Sequence, residues 1–158
     1  MNKHPERGMK LAALAAALIG LLAAFVFLPM LASALLEEFP AYQKWYWPCL
    51  IYGWAVLVPG FAGLWEFWKI CVEIGRDNSF SQKNARSLFR ICTLAVTMAA
   101  LLAVGVAALC LLGMGLPMLL IAMLGFAAAC ALVALLSNAL SLLVRRAAAI
   151  QTENDLTV

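Results

Sequence analysis

Residues 11–36 read LAALAAALIGLLAAFVFLPMLASALL and contain no charged side chain; Ser33 is the most polar group among them. A helix of about 20 apolar residues crosses a hydrocarbon core of about 30 Å, so this stretch alone is long enough to span a bilayer. Three further runs match it: Trp45 to Glu66, continuing as helix to Ile74, then Ile91 to Leu112, and Leu116 to Val144. Of the 158 residues, 66% are hydrophobic and 12% charged, against about a quarter charged in a soluble domain. A chain this short keeps much of its surface exposed when folded, so water cannot be the solvent for so much apolar surface. No run alternates polar and apolar residues as a membrane barrel does. In hydrocarbon that leaves helices. The predicted fold is all-α, a single integral-membrane four-helix bundle over residues 1–158.

Lys and Arg in the short connections predict its orientation. Lys3, Arg7 and Lys10 precede the first span. Lys69, Arg76, Lys83, Arg86 and Arg90 flank the junction of the second and third, and Arg145 and Arg146 follow the fourth. The other side carries Lys44 alone, beside Glu37 and Glu38. Both termini, the segment 75–90 and the tail 145–158 are therefore expected in the cytoplasm, as in a multi-pass protein of a bacterial inner membrane. Aromatic residues agree: Trp45, Tyr46 and Trp47 mark one interface, and Trp65 with Trp68 the other. The turn Gly113-Met114-Gly115-Leu116-Pro117 is so short that spans three and four must pair antiparallel. The leading basic residues, the apolar run and Ala32-Ser33-Ala34 also resemble a secretory signal with its cleavage site. The run exceeds the roughly 7–15 apolar residues of such a signal, so it reads as a retained span.

Chemistry is sparse within the spans. Ionisable groups inside a membrane usually mark pumps, transporters or enzymes. The nearest here are Glu66, Lys69 and Glu73, spaced to share one helix face as an ion-paired ladder at the end of span two. Glu66 is the candidate transport site if the chain moves a cation or proton. Small multidrug exporters also have four spans, but they carry an essential carboxylate in the first, where this chain has none. The cysteines Cys49, Cys71, Cys92, Cys110 and Cys130 form no Cys-x-x-Cys pair, and the lone His4 precedes span one. No metal or cofactor site is expected, and no catalytic residue. Cys49 and Cys110 lie near the same membrane face and are the one candidate disulfide. Asn138, with Ser137 and Ser141, is expected to hydrogen-bond across to a neighbouring helix, while Ala13, Ala17, Gly20, Gly105 and Gly125 allow close helix approach, within one chain or between copies. Pro59-Gly60 interrupts span two, where a kink could form a small pocket or hinge or be no more than bundle geometry.

The segment EIGRDNSFSQKNARSLFR, Glu73 to Arg90, is the main polar surface. Gly75 fits a helix stop and Ser81 an N-cap preceded by the hydrophobic Phe80. Beyond it Ala85, Leu88, Phe89 and Cys92 share an apolar stripe, with Lys83, Arg86 and Arg90 on a basic face suited to anionic lipid headgroups. The acidic tail is expected to fold back onto that face through Glu153 and Asp155.

The element Asn78-Ser79-Phe80-Ser81-Gln82-Lys83-Asn84, with the ending Glu153-Asn154-Asp155-Leu156-Thr157-Val158, resembles an uncharacterised family of small four-span bacterial membrane proteins. Members share a PF-S/T-x-x-N element between spans two and three and an ENDLTV-like ending; Ser79 stands here where proline is common. Genes of that family often neighbour one for a small helix-turn-helix repressor-type regulator. The resemblance implies a non-enzymatic sensor that partners or antagonises such a cytoplasmic regulator, without itself touching nucleic acid. Expected partner-binding residues are Phe80, Lys83, Asn84, Arg86 and Asp155. A small transporter or channel subunit using the kinked second span and Glu66 is the alternative.

Overall fold

The computed structural model describes the backbone of residues 4–75, 81–113 and 116–156, and the side chains of residues 8–75, 81–113 and 116–150. Helices fill nearly all of it, with no strand among the described residues, and four of the helical stretches have the length and apolarity to cross a membrane. Phe80, Arg76 and the side chains of the acidic tail, Asp155 among them, lie outside the described residues.

The first span is built in two pieces. Helix α1 (His4–Leu22) leads into a π-helical turn, Ala23–Phe27, and then helix α2 (Leu28–Glu38). Pro29 has no N–H to offer the carbonyl of Phe25, and its ring crowds that carbonyl in a regular helix. The wider turn accommodates both problems: Leu28 N–H reaches back five residues to Ala23 O. Trp54 of the next span donates its indole N–H to Ala24 O at 3.0 Å, and its ring tilts against Phe25 with centroids 6.3 Å apart. A hydrogen bond between helices in hydrocarbon contributes about 1 kcal/mol. Gly20 packs so closely that a Cβ there would lie 3.2 Å from the Phe61 ring.

A 3-10 segment, Pro40–Trp45, turns the chain into helix α3 (Tyr46–Ile74). Tyr42 Oη donates to Leu112 O at 2.8 Å and fastens this corner to the far end of helix α4 (Gln82–Leu111). Helix α3 runs through the buried Pro59 without ending, as helices in membranes can. An apolar cavity of this bundle lies nearer Trp45, lined by Trp45 and, on α3, by Pro48 to Gly53. Helix α3 stops at Ile74, as Gly75 suggests, but Gly75 stays right-handed at φ −65° and donates to Cys71 O at 3.2 Å. Its freedom to turn left-handed is not used there. It is used at Gly113, where φ is 70° and α4 ends.

Ser81 is the N-cap of α4: in extended conformation, its Oγ accepts from Asn84 N–H at 3.2 Å. Helix α5 (Pro117–Leu156) is 40 residues long, hence about 60 Å, and its pairing with α4 is the most extensive in the molecule. The helix does not end at Val144. Residues 147–149 are alanines, the best helix formers, so the tail backbone continues outward as helix to Leu156 instead of folding back onto the basic face.

Helix α4 lies between α3 and α5, and α1–α2 leans on α3. Val56, Met98, Leu102 and Cys130 form the core. Tyr52 donates to Leu101 O, and its ring rests against Gly105, where an added Cβ would sit 2.9 Å from Cε1 and 3.0 Å from the Met123 methyl. The antiparallel order brings Lys10, Lys69, Lys83, Arg86, Arg90, Arg145 and Arg146 to one end of the bundle and leaves Lys44 at the other. Gly105→Val should lower the stability of the detergent-solubilised protein by about 1–3 kcal/mol through overpacking. Gly125→Ala, at a site with nothing within 4 Å, should be neutral or slightly stabilising; chemical unfolding of the two variants side by side measures the difference.

Candidate functional site

Polar side chains gather where α3, α4 and α5 approach the basic end. Glu66 is 7% exposed, and both its carboxylate oxygens are engaged. Oε1 accepts from Lys69 Nζ at 2.7 Å, one turn along the same helix, and from Arg90 Nη1 at 3.2 Å across the gap to α4. Oε2 accepts from Ser87 Oγ at 2.9 Å. The two cations reach Glu66 from outside, since their side chains are 44% and 63% exposed. Lys69 and Arg90 thus lay their carbon stems along the helices and keep their charged ends wet, while the carboxylate they share is withdrawn. Removing a buried carboxylate's partners is costly, but exposed cations screened by water contribute little each. The cluster acts as a tie between α3 and α4 at the membrane boundary.

A second tie joins α4 to α5. Ser141, 2% exposed, donates its Oγ to Ala85 O at 2.8 Å. Ala85 and Cys71 are fully buried, and Asn84 is 3% exposed. The inward stripe of α4 is therefore Asn84, Ala85, Ser87 and Leu88, with Phe89 turned outward at 49% exposure. Of the expected apolar stripe, Ala85 is buried and Leu88 and Cys92 are half-buried, while Phe89 is exposed and Ser87 takes the inward place opposite Glu66. Asn138 is exposed instead of bonding across to another helix. The Ser141–Ala85 bond sets the register of the antiparallel pair and puts Asn138 level with Leu88, at the depth of the cations, where an exposed amide is not stranded in hydrocarbon. Thr93 and Thr97 donate within their own helix, to Phe89 O at 3.1 Å and Thr93 O at 2.9 Å.

Of the residues expected to contact a partner, Lys83 and Arg86 are exposed on the first two turns of α4. Asn84 is interior, and its backbone N–H donates to Ser81 Oγ. Arg145 and Arg146 of α5 are exposed at the same end. Ser87 drew no notice in the sequence, because its role depends on a carboxylate 21 residues earlier in the chain. Among the described residues no three His, Cys, Asp or Glu side chains come together in a way that could hold a metal. None of the five cysteines is in a disulfide, so Cys49 and Cys110 are not joined. What the arrangement offers is a braced, cationic surface with an apolar margin.

Glu66→Ala should destabilise the bundle by about 1–3 kcal/mol, since Ser87 and two cations lose their common acceptor. Glu66→Gln, which keeps an oxygen and the shape, should cost about half as much. Unfolding in mixed micelles ranks the two, and a Glu66→Gln variant as stable as the parent would mean that Glu66 contributes bulk alone.

The model of a protein family of unknown function, DUF2975, matches residues 30–158. No curated protein and no solved structure matches the chain.

Proposed function

The chain belongs to the DUF2975 family and has four helices of membrane-spanning character, and from that premise we propose that it is a non-enzymatic inner-membrane sensor that holds a cytoplasmic partner on its basic end. The observation that carries this reading is the bracing of α3, α4 and α5 beneath an exposed cationic surface. Glu66 links α3 to α4, and Ser141 links α4 to α5. A change in packing within the membrane would thereby reach Lys83 and Arg86 as a displacement of whole helices. Two packings that differ in how they present that surface would be weighted by the membrane's condition, which is a population shift.

Charge favours a partner with an acidic face, and the rim of Phe89 supplies apolar area beside it. The resemblance carried by residues 78–84 and 153–158 makes a small helix-turn-helix regulator the partner of first choice, with both termini and the segment 75–90 in the cytoplasm, where Lys and Arg predominate. Phe80 and Asp155 complete the proposed contact with Lys83 and Arg86, while Asn84 lies buried beside them. Anionic headgroups would compete for the same cations. Glu66, bound to three donors, enters as a tie; nothing in its surroundings favours solute transport through it.

Two outcomes are expected. Reporter fusions at either terminus should be active only in the cytoplasm; export of either one overturns the assigned sidedness. Lys83→Glu with Arg86→Glu should abolish capture of the neighbouring regulator from solubilised membranes and leave insertion intact, because Lys69, Arg90, Arg145 and Arg146 still hold the topology. Undiminished capture would dismiss this surface.

A further inference from the structure

The end of the bundle opposite the basic residues holds a cavity of about 330 Å³, at the lower end of the roughly 300–1,000 Å³ of ligand pockets. It opens between α2 and the pair α4–α5, with α3 as its back wall: Leu28 to Leu35 on one side, Trp45 to Gly53 behind, and Gly105 to Leu112 with Leu119 and Met123 opposite. Two glycines shape it. A Cβ at Gly53 would lie 2.5 Å from Leu28, and one at Gly105 would strike Tyr52. The helices therefore meet at the base of the cavity and splay above it.

We infer that this cavity binds one acyl chain of a phospholipid from the leaflet on the Lys44 side. Three observations select that occupant. The first is polarity. Apart from the Cys49 thiol, Tyr52 and Trp45 bring the only polar side-chain atoms, and the Tyr52 hydroxyl is already spent on Leu101 O. Little is left to recognise a polar molecule, so an apolar chain fits and a hydrophilic solute does not.

The second is length and depth. From Trp45 to Gly53 the wall extends about 12 Å along the helix. That is most of one leaflet's half of a hydrocarbon core about 30 Å thick. With Trp45 at the interface, the cavity runs from headgroup level nearly to the midplane, parallel to the chains of the lipids around it.

The third is the rim. Lys44 is the only Lys or Arg between Lys10 and Lys69. It is exposed beside Trp45 at the cavity's water-facing end. A cation placed there suits the phosphate of the same lipid, and the Trp45 ring suits the boundary between headgroup and chain. The occupied cavity joins α2 to α4 through the lipid, beside the Leu35 and Leu36 contacts with Leu109 and Leu112 and the Tyr42 bond above.

The test uses the full chain in phosphatidylethanolamine vesicles containing phosphatidylglycerol with a mid-chain diazirine. After photolysis, peptide mass spectrometry maps the adducts. Adducts should concentrate on Tyr52, Leu109 and Met123 by about tenfold over Ile51 and Met118, which are exposed on the outside of the same half, as a preference of about 1.4 kcal/mol requires. Ala108→Trp, from the α4 wall, and Cys49→Trp, from the α3 wall, should each remove the cavity adducts and leave those at Ile51 unchanged. Ala103→Trp, away from the cavity, should leave both sets as they were. Adducts that simply follow exposure, with Ile51 and Met118 dominant, would overturn the inference. So would cavity adducts that persist in both filling variants, each checked for native helicity and melting.

Discussion

Hydrocarbon offers nothing to an unpaired backbone N–H or C=O, and every local feature of this molecule answers to that fact. Each departure from regular helix comes with a substitute partner. Pro29 removes a donor, the turn at Ala23–Phe27 widens, and Trp54 crosses from α3 to occupy Ala24 O. At the corner after α2, Tyr42 takes up Leu112 O, a carbonyl that the end of α4 would otherwise leave open. Tyr52 adds a second donor to Leu101 O, a carbonyl within the regular part of α4. These aromatic donors are amphipathic, so they bury ring area while spending one polar atom, which makes them the cheapest groups for the task.

The two ends of the bundle solve different problems. At the basic end, long cations reach water from helices that are still within the boundary of the membrane, and a withdrawn carboxylate gathers two of them. Polar bonds hold the three helices there. At the Lys44 end, apolar contacts and the hydroxyls of Tyr42 and Tyr52 hold the helices, and Gly53 and Gly105 let them approach at the base of the cavity. Polar bonds between helices are thus concentrated at the basic end, and the apolar cavity lies at the other.

The four spans were legible because length and apolarity are summed over many residues and survive any local error. The cap at Ser81 was legible for the opposite reason: it depends on three consecutive positions. What failed to show was register. Whether Phe89 or Ser87 faces inward depends on which residue of α3 stands opposite, and Glu66 is too far along the chain for periodicity to reveal it. Asn138 misled for the same reason, since its depth is fixed by the Ser141–Ala85 bond and by nothing in its own neighbourhood. The tail misled because opposite charges suggested attraction, while alanine-rich continuity of α5 decided the backbone path. Gly75 ended its helix as expected, yet without the left-handed turn that makes glycine useful in that place.

One consequence of the π-helical turn concerns phase. At 3.6 residues per turn, the inward positions of α2, Leu28, Ala32, Leu35 and Leu36, would lie roughly 90° around the axis from Ala13 and Gly20 of α1 and Ala24 at the start of the turn if the helix were uniform. The extra residue absorbed in Ala23–Phe27 rotates the second half by about that amount. The first span is therefore two amphipathic segments with different periodic origins, spliced so that both present their small and branched faces to α3. A sequence wheel drawn through the whole span averages the two and blurs the stripe. Drawn on either side of Phe27, it recovers one. Proline in this span is then less a flaw to be tolerated than the setting of an angle.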